Sequence, residues 1–403
     1  VPYVEQPATE NVTKATAAYI NHMQAGIGAA ATTAEAGAKL GSAYHALDAK
    51  NNLSIGSTLP SLTTAELNTG HGLNALGSLT SSYANTAVGA SALQNETAGI
   101  SGGNLSGVGS NTAVGAYALF YHTAEHTTAI GAYAGENNTT GRENTFIGAY
   151  AARSHKEGEG NVAVGTGAME YTTAVVVGMV AIGQGALSHV EAGAHTAVGQ
   201  NALYSLTTGT SNTVMGRNVM QFALTATANV VIGHEGMKNA TGGNENVGMG
   251  WKVFGGMEGE AANANTAVGA AAMSSGELTG PNNTGVGNRV LYQLTSGEGN
   301  TASGTQALKS NTTGSNNTAL GFHAGYENKT GSGNVFVGYE AGKAATGSNE
   351  LFIANNATTA WIRGAESGLK LGFFNATPVV HQTITAEASA KALIEYLHEL
   401  GLC

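Results

Sequence analysis

What is scarce in this chain narrows its class. It holds one cysteine, Cys403, so no disulfide framework and no cysteine-based metal site can form within one copy. Aspartate occurs only at Asp48, which thins the supply of the paired carboxylates that glycoside hydrolysis uses. Charged residues make up 10% of the 403 and aromatic residues 6%, against 59 glycines, so the chain lacks the charge and the bulky core of an ordinary globular enzyme. The formal net charge is -10 and no basic cluster exists, which argues against a nucleic-acid partner. The longest apolar run, AVVVGMVAIG at 174–183, is too short to span a bilayer. The start has no basic region followed by an apolar core, so neither a leader nor membrane insertion is expected.

What is present is a repeated phrase: NTAVGAYAL at 111–119, TAVGQNAL at 196–203, NTAVGAAAM at 265–273. Anchored on its glycine, the phrase recurs at Gly89, Gly115, Gly131, Gly148, Gly165, Gly183, Gly199, Gly216, Gly233, Gly250, Gly269, Gly287, Gly304, Gly321 and Gly338. After a first interval of 26 residues the spacing stays between 16 and 19, most often 17, so one copy is one structural unit. Such regularity also separates the chain from disordered low-charge sequences.

Each column makes its own demand. Three residues before the glycine stands Thr or Val, whose β-branching favours extended backbone. One residue before it stands Val, Ile, Leu or Met in every copy except at Ser303. The two columns share one face of a strand, and the stripe containing Val114, Ile147, Val198 and Val268 is the expected core. The column between them is mostly Ala or Gly, with Phe146 and Phe336 as the large exceptions, which implies close packing on the second face as well.

The opening column is Asn in 12 of 15 copies, enough for a side-chain ladder at a corner. The invariant glycine needs positive φ or has no room for a Cβ. A second apolar pair follows three and four residues later, as in Ala118-Leu119, Ala202-Leu203 and Ala307-Leu308. Polar turns such as 137–142 and 207–211 close each copy and are expected to be exposed. One copy cannot bury its own apolar side, but stacked copies can. The fold expected is therefore all-β, a repetitive parallel β-solenoid with one rung per repeat. At about 4.8 Å per rung, the 14 intervals would span about 67 Å.

The ends read differently. Residues 1–31 form an N-terminal segment for attachment or trimerisation, with a helix expected over 11–31 from Ile20, Met23 and Ile27. Residues 32–84 are an irregular neck in which LSIG (53–56) and NALG (74–77) look like degenerate rungs. The array runs over 85–348, and 349–403 is a C-terminal cap with strands in NELFIANNATTAWIRG and an extended stretch at 369–383. An amphipathic helix is expected over 385–400, with Leu393, Ile394, Leu397 and Leu400 on one face. Its apolar stripe would be covered by copies of itself.

Three segments resemble a known family. The repeats are similar to the NTAVGxxAL arrays of bacteriophage fibre proteins and to the head repeats of trimeric autotransporter adhesins, which form a trimeric β-roll. YINHMQAGI near the start resembles a segment common near the start of phage tail-fibre proteins. LKLGFFNATPVVHQT followed by a helix and LGLC resembles the ending of phage fibre or virion-surface proteins, except that Asn375 stands where that ending usually has Gly. Autotransporter adhesins carry a leader and a membrane anchor built of strands, neither of which is legible here, so the phage family is the expectation.

The resemblance implies a homotrimeric β-roll shaft with short N- and C-terminal helices, a structural virion fibre. Its partners would be itself, other virion proteins and a host cell-surface glycan or protein. A tail fibre mediating host attachment is the first reading. A collar or capsid-surface fibre, a polysaccharide-degrading tailspike and a bacterial surface adhesin are the alternatives.

No residue pattern demands catalysis or a cofactor. His122 and His126, and His189 and His195, lie near each other but match no ligand spacing, and read as solvent-facing turn residues. Glu157 and Glu159 in HKEGEG read as a solvated loop rather than an acid/base pair, and SGGNLSGVG at 101–109 lacks the lysine and helix of a phosphate loop. Recognition is expected where the repeat departs from its rule: the loop 94–109, the charged turn 153–160 and the segment 251–264. The candidate receptor contacts are Lys156, Glu157, Glu159, Trp251 and Phe254.

Overall fold

The computed structural model describes residues 46–47, 51–56, 65–96, 109–257, 262–274, 277–365, 370–373, 379–380, 390–399 and 401–402. The expected N-terminal helix, and most of the loop at 94–109, lie outside these residues. Strands β1 (Ala46–Leu47), β2 (Leu53–Ile55) and β3 (Thr69–His71) precede fifteen three-residue strands, one per repeat, from β4 (Thr86–Val88) to β18 (Val335–Val337). From β2 to β18 each strand pairs in parallel with the next, without slippage, as in Thr196↔Thr213, Ala197↔Val214 and Val198↔Met215. The chain is thus an all-β parallel solenoid. LSIG supplies the rung β2, whereas NALG is not a rung: Ala75 and Leu76 are the buried apolar pair behind Gly72.

The corner explains the invariant glycine on both counts. The fifteen anchor glycines have φ between 118° and 144°. A Cβ on Gly165 would stand 2.6 Å from the carbonyl carbon and oxygen of Gly183, and one on Gly89 would stand 2.6 Å from the carbonyl oxygen of Gly115. Each corner N–H also donates to the strand behind it, as Gly131 N does to the Val114 carbonyl at 2.7 Å.

A ladder of buried asparagines runs beside the corners. Asn229, Asn246, Asn265, Asn283, Asn300, Asn317 and Asn334 each donate their backbone N–H to the side-chain oxygen of the ladder residue one rung back, at 2.8–3.0 Å. The side-chain amides donate across to the polar turn, as Asn317 Nδ2 does to the Gly331 carbonyl at 2.8 Å. One residue type thereby satisfies two backbone groups that the turn would otherwise leave buried and unpaired. The ladder extends beyond the array to Asn52 and Asn68.

The strand faces are the reverse of the sequence expectation. Ala113, Phe146, Ala197 and Ala267, the middle residues, are fully buried; Val114, Val198 and Val268 are half-buried and Ile147 is exposed. The physical reason is width. The interior of one turn must hold both the inward strand residue and the apolar pair behind the corner, so the strand contributes little volume and its branched residues point outward.

The two contributions trade off. Ala113 is matched with Leu119, Phe146 with Ala152, Gly248 with Phe254, and Phe336 with Gly342, all of them buried. A Cβ on Gly248 would lie 3.0 Å from the Phe254 ring, and one on Gly135 would lie 2.7 Å from the Phe146 ring. Close-packed interiors have a fixed width to fill, from one side by Phe or Leu or from both by intermediate pairs such as Val214 with Met220.

The turns are mixed rather than exposed: Asn138, Gly141 and Gly209 are buried within them. Beyond β18 the sheet continues in parallel with β19 (Glu350–Ala354), then turns antiparallel through β20 (Ala360–Ala365), β21 (Lys370–Phe373) and β22 (Val379–Val380). A helix, α1 (Ala390–Glu399), lies near the end of the chain.

A substitution pair tests the corner. Gly165→Ala should lower stability by about 1–3 kcal/mol from backbone strain alone, before the clash is counted. Gly178→Asn should be nearly neutral, because Gly178 has φ 67° with nothing within 4 Å of an added Cβ. Urea unfolding of both variants reads the difference; equal stabilities would contradict the stacking of corners.

Candidate functional site

With the interior assigned, the outward columns divide into two faces of opposite character. The first is the strand face. It carries Thr or Val at the first strand position and, except at Ser303, an apolar residue at the third, with no charged residue in either column of the fifteen repeats. Among its exposed members are Ile130, Ile147, Ile182, Met215, Met249, Val286 and Leu320, the last 53% exposed. The face is therefore an uncharged stripe as long as the array, with exposed apolar residues recurring along it, more than the scattered apolar residues of a monomer surface.

The second face follows the corner. Residues two and five places after the glycine lie next to each other on it, and they are the variable and charged ones. Tyr117, Tyr133 and Tyr150 stack rung on rung with centroids 5.2 and 5.4 Å apart, and Arg153 lies over Tyr133 and Tyr150. Farther along, Tyr171, His189 and Tyr204 form a second aromatic group beside a cleft of about 480 Å³ that also involves Glu170, Gln184, Asn201 and Gln221.

A third group surrounds Trp251. Here Glu235 receives Lys238 at 3.1 Å and Lys252 at 3.6 Å, and the hydrogen bond from Lys238 is the main cause holding its carboxyl below the usual range. Lys252 Nζ lies 5.0 Å from the centre of the Trp251 ring, and the Arg289 guanidinium 5.8 Å from that of Tyr292. These groups line a cleft of about 530 Å³.

The candidate contacts taken from sequence are not brought together. Lys156, Glu157 and Glu159 are exposed on the turn before β8 (Val162–Val164), with Glu159 3.8 Å from Arg142. Trp251 follows β13 (Val247–Met249), five rungs away, or about 24 Å. Trp251 is 51% exposed, but Phe254 is fully buried, filling the core volume that Gly248 leaves, and cannot meet a receptor. Lys238, Lys252 and Arg289 went unnoticed in the sequence; the signal was their place two or five residues after the corner glycine.

The histidines also differ from their expected place. His126 is exposed, but His122, His155 and His195 are buried. His195 stands in the asparagine ladder and does an asparagine's work. Its Nδ1 accepts from the Asn212 N–H at 3.2 Å, and its Nε2 lies 3.0 Å from the carbonyls of Ala192 and Gly209. Only the neutral ring with its proton on Nε2 satisfies both sides. His122 bridges Asn138 and Asn111, at 2.7 and 3.2 Å. His155 lies two rungs on from His122, in the column that also contains Asn138 and Thr172.

No group of three or more His, Cys, Asp or Glu that could hold a metal exists among the described residues, and no helix among them is long and apolar enough to cross a membrane. Neither a family model, nor a curated protein, nor a solved structure matches the chain.

Burial pushes the imidazoles of His122 and His155 down to about 4, the Asn138 hydrogen bond opposing this at His122, and pushes His195 down as well. The folded values lie below the unfolded one near 6.5, so the neutral rings' contribution is complete above pH 6.5 and is lost as the pH falls toward 4. The loss is on the order of 3 kcal/mol for each of His122 and His155. A His122→Asn/His155→Asn double variant, using the residue found in the same column at Asn138, Asn311 and Asn328, should flatten the fall. Urea midpoints at pH 7 and pH 4 decide it; an equal fall in both proteins would clear the histidines.

Proposed function

We propose that this chain is a structural fibre of a bacteriophage particle, a homotrimer whose shaft is the solenoid, mounted on the tail to contact the host surface. The observation that carries the reading is the uncharged strand face. A stripe about 67 Å long and roughly 10 Å wide offers on the order of 700 Å² per copy, close to what one partner contributes to a stable interface. Its regular repetition suits parallel copies of the same chain, because each rung then meets an equivalent rung at the same height. A rotationally closed ring of such copies leaves no apolar stripe in water. The phage assignment rests on the three sequence resemblances, and the second, charged face is where host contact would lie.

Light scattering on the purified protein should give three times the chain mass. Val198→Asp should reduce it to one chain mass with an unchanged far-UV circular dichroism spectrum, since Val198 faces outward. Ala197→Asp should fail to fold, because an unpaired carboxylate inside the turn costs several kcal/mol. A monomeric parent, or a Val198→Asp trimer, would overturn the assembly. Antibody labelling of intact particles tests the location, and labelling on the collar or capsid instead of the tail would select the alternative fibre.

A further inference from the structure

The cleft beside Trp251 is made by a local break in residue size. The rung after Gly269 presents only Ala270, Ala271 and Ser274 on the second face, where its neighbours carry large side chains. On one side stand Trp251 and Lys252, with Glu235 and Lys238 one rung beyond; on the other stand Arg289 and Tyr292. Two rungs separate the flanking walls, about 10 Å. The floor is therefore set by small residues and the walls by aromatics and cations.

Charge singles the cleft out further. Three cations face one carboxylate, in a chain whose net charge is -10. Glu235 already holds Lys238 and Lys252, whereas Arg289 has no ion pair with a carboxylate among the described residues. A guanidinium is the side chain best shaped to grip a carboxylate through two parallel hydrogen bonds. Trp251, half open to solvent, offers a flat apolar surface with a polar edge, the kind of surface on which the C–H face of a sugar ring packs.

We propose that this cleft binds an acidic saccharide, with a carboxylate on Arg289 and the sugar ring against Trp251. The assignment deepens, and rests on, the reading of the chain as a host-contacting fibre, and it names the class of receptor: a surface polysaccharide bearing uronate, sialate or pyruvyl groups. An acidic peptide would use the cations equally well but has no ring to set against the indole.

The test uses the full-length protein and a panel of uronate, sialate and pyruvylated oligosaccharides, with methyl-esterified uronates and poly-glutamate as controls, read by isothermal titration calorimetry. At least one acidic saccharide should bind saturably. Esterification should weaken it at least tenfold, as should Trp251→Ala and Arg289→Gln, while Trp251→Phe should retain part of the affinity. Both positions are exposed, so unchanged circular dichroism and melting confirm that each variant folds. The proposal is overturned if no acidic saccharide binds, if ester or poly-glutamate binds as tightly, or if both variants bind like the parent. Mass and particle labelling on the same preparations separate the two ideas. A trimeric virion protein without saccharide affinity overturns this proposal alone. Binding by a protein that is neither trimeric nor on the particle sustains the site and overturns the fibre.

Discussion

The shaft depends on one close approach: the backbone of each corner lying directly on the backbone of the next. At Gly165 the space where a side chain would begin is occupied by the Gly183 carbonyl, and the same holds from rung to rung along the array. That contact fixes the stacking distance at the corner, and the strands on one side and the apolar pair on the other must follow at the same spacing. Unslipped parallel pairing, the continuous core and the asparagine ladder are consequences of corners held in line. A one-dimensional stack of this kind has only nearest-neighbour interfaces, so a fault at one corner weakens two rungs directly.

Stacking leaves unequal freedom to the columns. The inward column and the buried pair are coupled by volume, which is why Phe254 stands opposite Gly248 and Phe336 beside Gly342. The ladder column is coupled by hydrogen bonding. It admits His195 because a neutral imidazole, like an amide, accepts on one side and donates on the other. The strand face is uniform and uncharged. The positions one, two, five and six places after the corner are free, and most of the aromatic residues of the repeats are found there, while the charged residues are shared between these positions and the polar turns.

The repeat, its one-rung length and the corner glycine were legible because each is a periodic demand written many times. The direction of the strand faces was not. A period of two says that alternate residues share a face but not which face is inside, and the branched column was assigned to the interior on hydrophobicity alone. The small column was the better indicator, since a narrow turn that already holds Leu119 has room only for Ala113 from the strand. The same oversight hid the role of Phe254. Taken alone it is a candidate contact; paired with Gly248, six residues earlier, it is core. The buried histidines were misplaced for a different reason. A turn of polar residues in a solenoid is partly interior, because its carbonyls receive the ladder amides, so polarity there does not mean exposure.

These constraints also say where recognition can develop without cost to the shaft. A change at Lys252, Arg289 or Ser274 touches neither the corner, the core pair nor the ladder, so the second face can acquire aromatics and charges one rung at a time. The strand face has no such freedom if every rung meets an equivalent rung of another copy, since one charge would be repeated around the assembly in a dry contact. A chain with 42 charged residues that keeps all of them off both strand-face columns, while placing Glu235, Lys238, Lys252 and Arg289 together on the other face, is divided in this way along its length. The division of charge, more than any single residue, follows from the packing of the rungs: the columns tied to the strand stay uncharged, and the columns behind the corner are left to vary.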